Sequence, residues 1–106
     1  MEEIVIRQAQ ESDLHALGRL GALLLETHYA FDQKRFMAPQ GDTAEGYEWF
    51  LHSQLKRDDV VVFVAERAGA VIGYSYAGLE PESWKELREM AGFVHDVVVD
   101  ESSRRI

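Results

Sequence analysis

The chain has 106 residues, of which 46% are hydrophobic, so it can form one small domain with a modest core. It contains no cysteine, which excludes disulfides and metal sites built from thiolates. Its net charge of −8, from 19 acidic and 11 basic side chains, disfavours nucleic acid and anionic membranes as partners and attracts cations such as amines, although acidic charge also serves solubility alone.

The first part of the chain is predicted to form a strand and then a helix. Residues 3–8 alternate within a β-rich run, which is typical of a strand. Ser12 and Asp13 suit a helix start. Leucines at helical spacing follow, namely Leu14, Leu17, Leu20, Leu24 and Leu25. Gly18 and Gly21 fall inside this helix, where glycine costs roughly 1 kcal/mol against alanine, so we expect both to pack closely against another element.

A loop and a second helix are predicted next. Residues 28–41 read as a loop rich in aromatic side chains, and the second helix begins near Asp42 or Thr43. Its apolar face carries Tyr47, Phe50, Leu51 and Leu55.

The rest of the chain is predicted to be mostly strands. Residues 60–66 are apolar on both faces and indicate a central strand, and a turn at residues 68–69 leads into a returning strand at residues 71–79. Residues 82–90 predict a short helix, and residues 93–100 predict a fourth strand. One side of that short helix would carry Trp84, Leu87 and Met90. The order β-α-α-β-β-(α)-β favours an α+β (α/β) fold with a mostly antiparallel sheet.

Several of these segments resemble the GNAT superfamily of N-acetyltransferases. They are residues 6–9 followed by Asp13 and Leu14, the hairpin of residues 64–66, Gly69 and residues 71–74, and residues 94–100 followed by Arg104. The last segment is the most specific, because it resembles the family's fourth strand and the start of its cofactor motif. The resemblance implies a GNAT-like sheet truncated after its fourth strand, with residues 1–106 forming a single, incomplete acetyltransferase-like domain.

The resemblance implies acetyl-CoA as cosubstrate. Val97, Val98 and Val99 match the strand whose backbone pairs with the pantetheine arm, although they also suit a hydrophobic core strand. Arg104 and Arg105 match the start of the pyrophosphate loop. The glycines of that loop would follow Ile106, so we expect the 106-residue form to be inactive or impaired.

His95 and Asp96 are the candidate catalytic residues. The resemblance places a titratable side chain at His95, which would act as a general base towards the amine; the alternative is a structural histidine. Asp96 would orient a water or bind a cationic substrate; the alternative is a hydrogen-bond acceptor at a strand end. Strict alternation along the strand predicts two groups of residues on opposite faces, Phe93, His95, Val97 and Val99 on one and Val94, Asp96 and Val98 on the other.

The candidate substrate-binding residues are Tyr29, Phe31, Asp32 and Tyr76. The first three fall where the family has its variable acceptor-site loop, and an acidic, aromatic lining would suit an amine through charge and cation–π attraction. The alternatives are that the loop aromatics close over the core and that Tyr76 is simply a favourable strand residue. The acceptor stays open between a small amine, an amino acid, an antibiotic, a polyamine and a peptide N-terminus.

The predicted function is an acetyl-CoA-dependent N-acetyltransferase acting on an amine. The alternatives are a non-catalytic remnant that folds or dimerises without binding CoA, and a small α+β ligand-binding module unrelated to acetylation. An unpaired apolar edge at residues 97–99 predicts a homodimer. No metal site is expected, because the histidines lack ligand spacing. The acidic start differs from a secretory signal, and the longest apolar run, residues 60–65, is too short to cross a bilayer, so we expect a cytoplasmic protein with no membrane partner.

Overall fold

The computed structural model describes residues 3–104, which form two helices and one four-stranded sheet. In chain order the elements are β1 (Ile4–Gln8), a 3₁₀ turn (Glu11–Asp13), α1 (Leu14–Phe31), α2 (Thr43–Leu55), β2 (Val60–Arg67), β3 (Ala70–Glu80), β4 (Ala91–Val99) and a final 3₁₀ turn (Glu101–Ser103). The strands lie in the order β1-β2-β3-β4, and every neighbouring pair is antiparallel. The predicted α+β fold with an antiparallel sheet is therefore confirmed.

α1 begins at Leu14, directly after Asp13, which is one of the two residues that suit a helix start in the sequence. The Asp13 carboxylate accepts a hydrogen bond from the backbone N–H of Gln10 at 2.8 Å, and the Arg7 guanidinium donates to both of its oxygens, at 2.8 and 2.9 Å. Arg7 lies in β1 and also contacts Glu66 of β2 at 3.2 Å. The buried Asp13 thus ties the first helix to the edge of the sheet, and the hydrogen bonds from Arg7 lower the pKa of its carboxyl.

The two glycines of α1 allow α2 to pack against it closely. A Cβ atom on Gly21 would lie 2.5 Å from the ring of Tyr47, and one on Gly18 would meet the backbone carbonyl of Ala44. Real side chains do not approach so closely, so only glycine permits this spacing of the helices. The expected close packing of both glycines is confirmed.

The helices cover one face of the sheet, called here the helix face. The core lies between them and consists of Leu17, Leu20, Leu51, Val62, Val64, Tyr74 and Val98. The opposite, outer face presents large apolar side chains that remain exposed: Ile6 at 64%, Val94 at 67% and Val97 at 64%. Neither α1 nor α2, the two α-helices within residues 3–104, is long and apolar enough to cross a membrane.

The predicted hairpin between β2 and β3 is confirmed. Its turn consists of Ala68 and Gly69, whose φ angles are +53° and +79°. Two consecutive left-handed residues form the turn whose twist matches that of paired strands.

Two predictions of secondary structure are wrong. Residues 82–90 do not form a helix, because Ser83 and Arg88 exchange backbone hydrogen bonds at 2.7 and 2.9 Å and close an irregular extension of the β3–β4 hairpin. The apolar side chains that suggested a helix have no core to face, and Trp84 and Leu87 are 83% and 87% exposed. The predicted loop of residues 28–41 is also too long, since α1 continues to Phe31.

Candidate functional site

A β-bulge interrupts β4 at His95. Asp96 pairs with Tyr76 and Val94 pairs with Ala77, so His95 is an extra residue with no partner on β3. A bulge of this kind shifts the alternation of side chains by one residue. Asp96 therefore lies on the helix face with Tyr76, whereas Val94 lies on the outer face with Ala77.

The bulge corrects the predicted faces of β4. Val97 and Val99 lie on the outer face and Val98 on the helix face, as strict alternation predicts downstream of the bulge. Upstream the prediction is wrong, because Val94 does not share a face with Asp96. Nor is His95 on the face of Val97: its ring lies 5.0 Å from that of Tyr76 and 6.4 Å from that of Phe93. His95 and Asp96 thus come to the same side of the sheet.

Asp96 is half-buried beneath the two helices. The Tyr74 hydroxyl donates to its Oδ2 atom at 3.0 Å. Burial raises the pKa of the Asp96 carboxyl, and the hydrogen bond from Tyr74 lowers it in part. Burial also raises the pKa of Tyr74, so this phenol keeps its proton and remains a donor. The pair is a carboxylate held in place by a neutral tyrosine.

His95 is paired with Glu80, at the last position of β3. The His95 Nε2 atom lies 3.0 Å from the Glu80 Oε1 atom. Glu80 was not among the residues that sequence reasoning selected. The only signal for it would have been the hairpin register, which the bulge changes at this point.

Two cavities meet at Tyr76. The first, the apolar cavity, has a volume of about 540 Å³ and is lined by Leu25, Met37, Tyr47, Phe50, Tyr76 and Asp96, among others. The second, the polar cavity, has a volume of about 400 Å³, and its lining includes Gln54, Arg57, Asp59, Tyr76, Glu80 and His95. The Tyr76 hydroxyl donates to the Gln54 Oε1 atom at 2.9 Å, which fixes the ring between the two. Asp96 therefore lines the apolar cavity, and His95 lines the adjoining polar cavity.

The other predicted substrate residues lie elsewhere. Tyr29 and Phe31 belong to the last turns of α1, and Phe31 is 87% exposed. Asp32 follows the helix, and its Oδ1 atom accepts the backbone N–H groups of Lys34 and Arg35, at 3.1 and 3.2 Å. None of these three candidates lines the two cavities that meet at Tyr76. Residues of the following segment and of α2, such as Met37 and Tyr47, take that position, and aromatic content alone did not distinguish them.

The predicted cofactor residues lie at one edge of the sheet. In the part of the chain that the structure describes, β4 has a strand neighbour on one side only. Val98 is buried in the core, Val97 is exposed, and the Val99 carbonyl accepts a hydrogen bond from the Arg104 side chain at 3.0 Å. A free strand edge fits an extended, amide-bearing chain such as pantetheine. Arg105 lies outside the described residues. Within residues 3–104, no cluster of three histidine or acidic side chains could hold a metal ion.

No protein-family model matches the sequence, and no curated protein matches it. Several solved structures have a fold similar to that of this chain. An acetyltransferase from Vibrio fischeri is 22% identical, with a TM-score of 0.69 over 95% of this chain and 73% of that one. A predicted acetyltransferase from Clostridium acetobutylicum, solved with acetyl-CoA, is 14% identical, with a TM-score of 0.64 over 97% of this chain and 64% of that one.

A third structure carries the name of the family suggested by the sequence. A GNAT family acetyltransferase from Staphylococcus aureus is 17% identical, with a TM-score of 0.62 over 99% of this chain and 67% of that one. The chain spans less than two thirds of the Clostridium acetobutylicum neighbour, at 64% of its length. Identities this low establish architecture and not activity. The chain has the fold of the GNAT acetyltransferases.

Proposed function

We propose that the chain carries the acceptor site of an N-acetyltransferase that transfers an acetyl group from acetyl-CoA to an amine. The observation that carries this proposal is the β4 bulge, which turns His95 and Asp96 to the same side of the sheet, next to the free strand edge. A proton acceptor for the amine and a carboxylate that attracts its ammonium form, both beside an edge that fits pantetheine, suit the acetylation of an amine. The fold shared with acetyltransferases supports the same conclusion.

The residues of the chain have separate roles in this proposal. The half-buried Asp96 attracts the ammonium form of the amine. The Glu80 carboxylate lies against Nε2 of His95 and favours the tautomer with hydrogen on that nitrogen, so Nδ1 keeps the lone pair that takes the amine proton. Acetyl-CoA supplies an activated thioester, so the amine nitrogen forms a C–N bond to the acetyl carbon while the C–S bond breaks and the thiolate leaves.

The free edge of β4 is the proposed place of the cosubstrate. The backbone of Val97, Val98 and Val99 would pair with the pantetheine arm, and Arg104, held at the end of the strand by its bond to Val99, would approach the phosphates. A cytoplasmic location, where acetyl-CoA is made and used, remains part of the proposal.

Two measurements test the function. Titration with acetyl-CoA should shift the backbone amide NMR signals of residues 97–99, and free thiol should appear when a primary amine is added. His95→Gln should lower the transfer rate by about 10²-fold or more and remove the inflection that a histidine base gives to the pH profile. His52→Gln is the matched control, because His52 forms the same kind of pair with Glu11, at 3.1 Å, away from both cavities. Unshifted amides together with no thiol release at millimolar acetyl-CoA would refute the proposal.

One observation favours a second role, self-association. The outer face carries the exposed Val94 and Val97 on β4, whose far edge has no strand neighbour within residues 3–104, and the exposed Ile6 on β1 at the opposite edge of the sheet. An apolar face next to a free strand edge is a template for pairing with another chain. We therefore propose a homodimer of the 106-residue chain through this surface. Because the edge of β4 is also the proposed place of the pantetheine arm, a dimer that pairs along this edge would compete with acetyl-CoA.

A further inference from the structure

The apolar cavity contains a carboxylate without a lysine or arginine partner among the described residues. Asp96 lines this cavity and is half-buried. None of the ion pairs within residues 3–104 includes Asp96, and Tyr74 is its one hydrogen-bond donor there, at Oδ2. A half-buried carboxylate without a lysine or arginine partner is stabilised by a cation that reaches it, to an extent that its remaining contact with water reduces. The cavity thus has one position that selects for positive charge.

Apart from the exposed Asp42, the rest of the lining carries no second charge. Leu25, Met37, Tyr47 and Phe50 provide apolar and aromatic surface, and the Phe50 and Tyr76 rings meet edge to face at 5.7 Å. Aromatic faces near an ammonium add cation–π attraction to that of the carboxylate. A volume of about 540 Å³ is large enough for a compact organic molecule of this kind.

The remaining polar groups of the lining are already engaged or exposed. The Thr43 hydroxyl donates to the Gln40 carbonyl at 2.7 Å and accepts the Gln40 N–H at 2.8 Å. Asp42 also lines the cavity, but it is exposed at the N-terminus of α2, where water screens its charge. The free polar side chains of the lining are thus few, namely the exposed Gln40 and Asp42 and the half-buried Tyr47, whereas an extended peptide backbone requires several donors and acceptors in a row.

We propose that the acceptor is a compact monoamine with an apolar body. Its ammonium group binds Asp96, and its alkyl or aryl part packs among Leu25, Met37 and Phe50. Acetylation of this amine rests on the function proposed above, whereas its binding does not. Polyamines and peptide N-termini fit less well, because their further polar groups would be placed against apolar side chains.

Three ligands with the same six-carbon chain separate the contribution of one ammonium group to the affinity from those of the apolar chain and of a second ammonium group. They are n-hexylamine, with one ammonium, 1-hexanol, with none, and 1,6-diaminohexane, with two. Dissociation constants come from ¹⁵N-NMR titrations of the 106-residue chain at constant ionic strength, with the Gly46 and Tyr47 amides as reporters of the cavity. We expect n-hexylamine to bind at least about tenfold more tightly than 1-hexanol, which corresponds to about 1.4 kcal/mol, and also more tightly than 1,6-diaminohexane.

Two aspartate variants locate the charge that matters. Asp96→Asn keeps an oxygen that can accept the Tyr74 hydroxyl, so the fold should survive, and n-hexylamine should then bind no better than 1-hexanol. Asp42→Asn removes a charge from the same lining at an exposed position and should change the affinity for n-hexylamine less than about threefold. Equal losses in the two variants, or tighter binding of the diamine, would overturn the proposal.

The outcomes separate this inference from the proposed function. Binding of n-hexylamine that depends on Asp96, in a chain that neither binds acetyl-CoA nor releases thiol, supports the amine site and removes the transferase. Acetyl-CoA binding at residues 97–99 without amine binding in the apolar cavity supports the transferase and overturns the amine site.

Discussion

Replacing Gly21 by alanine should destabilise the protein, although alanine is the better helix former. In an exposed helix interior the change from glycine to alanine gains about 1 kcal/mol. At Gly21 the new Cβ would lie 2.5 Å from Cγ and Cδ1 of Tyr47, where contacts between carbon atoms are normally about 3.5 Å or longer. These ring atoms are next to the Tyr47 backbone, so relief requires α2 itself to move by about 1 Å. Overpacking of this kind costs about 1–3 kcal/mol, which exceeds or cancels the gain.

Gly46→Ala is the matched control for this prediction. Gly46 lies in α2 and is exposed, and a Cβ atom added there would meet no neighbouring element within 4 Å. The Gly46→Ala variant should be more stable than the wild type by about 1 kcal/mol, the full difference in helix propensity between glycine and alanine. The difference in unfolding free energy between the two variants then isolates the packing penalty at Tyr47, about 1–3 kcal/mol.

Urea unfolding followed by circular dichroism measures both variants against the wild type. With an m-value of about 1.5 kcal/mol/M, the midpoints of Gly21→Ala and Gly46→Ala should differ by about 0.7–2 M, with Gly46→Ala the higher. Because Tyr47 lines the apolar cavity, Gly21→Ala should also weaken the binding of n-hexylamine. Equal stabilisation by both substitutions would refute the close approach of the two helices.

Three further predictions concern charge and surface. The hydrogen bonds from Arg7 lower the pKa of Asp13 in the folded protein, so the ionised Asp13 stabilises the fold above its unfolded pKa of about 3.9, and this stabilisation is lost as pH falls through the folded pKa. Asp13→Asn should therefore lower the free energy of unfolding by about 1–3 kcal/mol at pH 7, measured by urea unfolding, and by less below pH 4. Burial raises the pKa of Asp96, so stability falls as pH rises from about 3.9 through its folded pKa. Asp96→Asn should therefore be more stable than the wild type at pH 7, by less than about 1 kcal/mol because solvent screens the half-exposed group, and the gain should vanish near pH 3. The titratable groups facing Asp96 are Tyr74, Tyr76 and His95 from the sheet, Tyr47 from α2 and His28 from α1. Val97→Lys should convert the expected dimer to a monomer in sedimentation velocity, whereas Phe31→Lys, on the exposed end of α1, should not; a monomeric wild type would contradict the proposed interface.

The strands and helices could be predicted wherever apolar residues recur with a clear period. The leucines of α1 and the apolar run of β2 fixed the type of both elements, and Gly18 and Gly21 predicted close packing before any neighbour was known. Residues 82–90 show where the pattern fails. Trp84, Leu87 and Met90 have helical spacing, but periodicity indicates a helix only when a face is buried, and the sequence does not show whether a core lies beneath.

The candidate site could be predicted only in part. The sequence selected His95 and Asp96 through the resemblance and Tyr76 as a strand residue, and the structure places all three at the two cavities that meet at Tyr76. Glu80 and Tyr47 were missed, since their positions depend on the register of β3 and on the packing of α2 rather than on any local pattern. Tyr29, Phe31 and Asp32 were selected for their chemistry, but Tyr29 and Phe31 lie in the last turn of α1, Asp32 directly follows it, and none of the three lines the apolar cavity.

The bulge explains why two adjacent residues can serve one site. In a regular strand His95 and Asp96 would point to opposite faces, and one of them would lie on the outer face beside Val97. The extra residue shifts the register at Tyr76, so that Asp96 stays under the helices while the His95 ring stacks near Tyr76 and reaches Glu80. The local cost is one interrupted step of the β3–β4 ladder. That interruption lies at the meeting point of the apolar and polar cavities, so the irregularity of the strand is what brings both candidate residues to the same place.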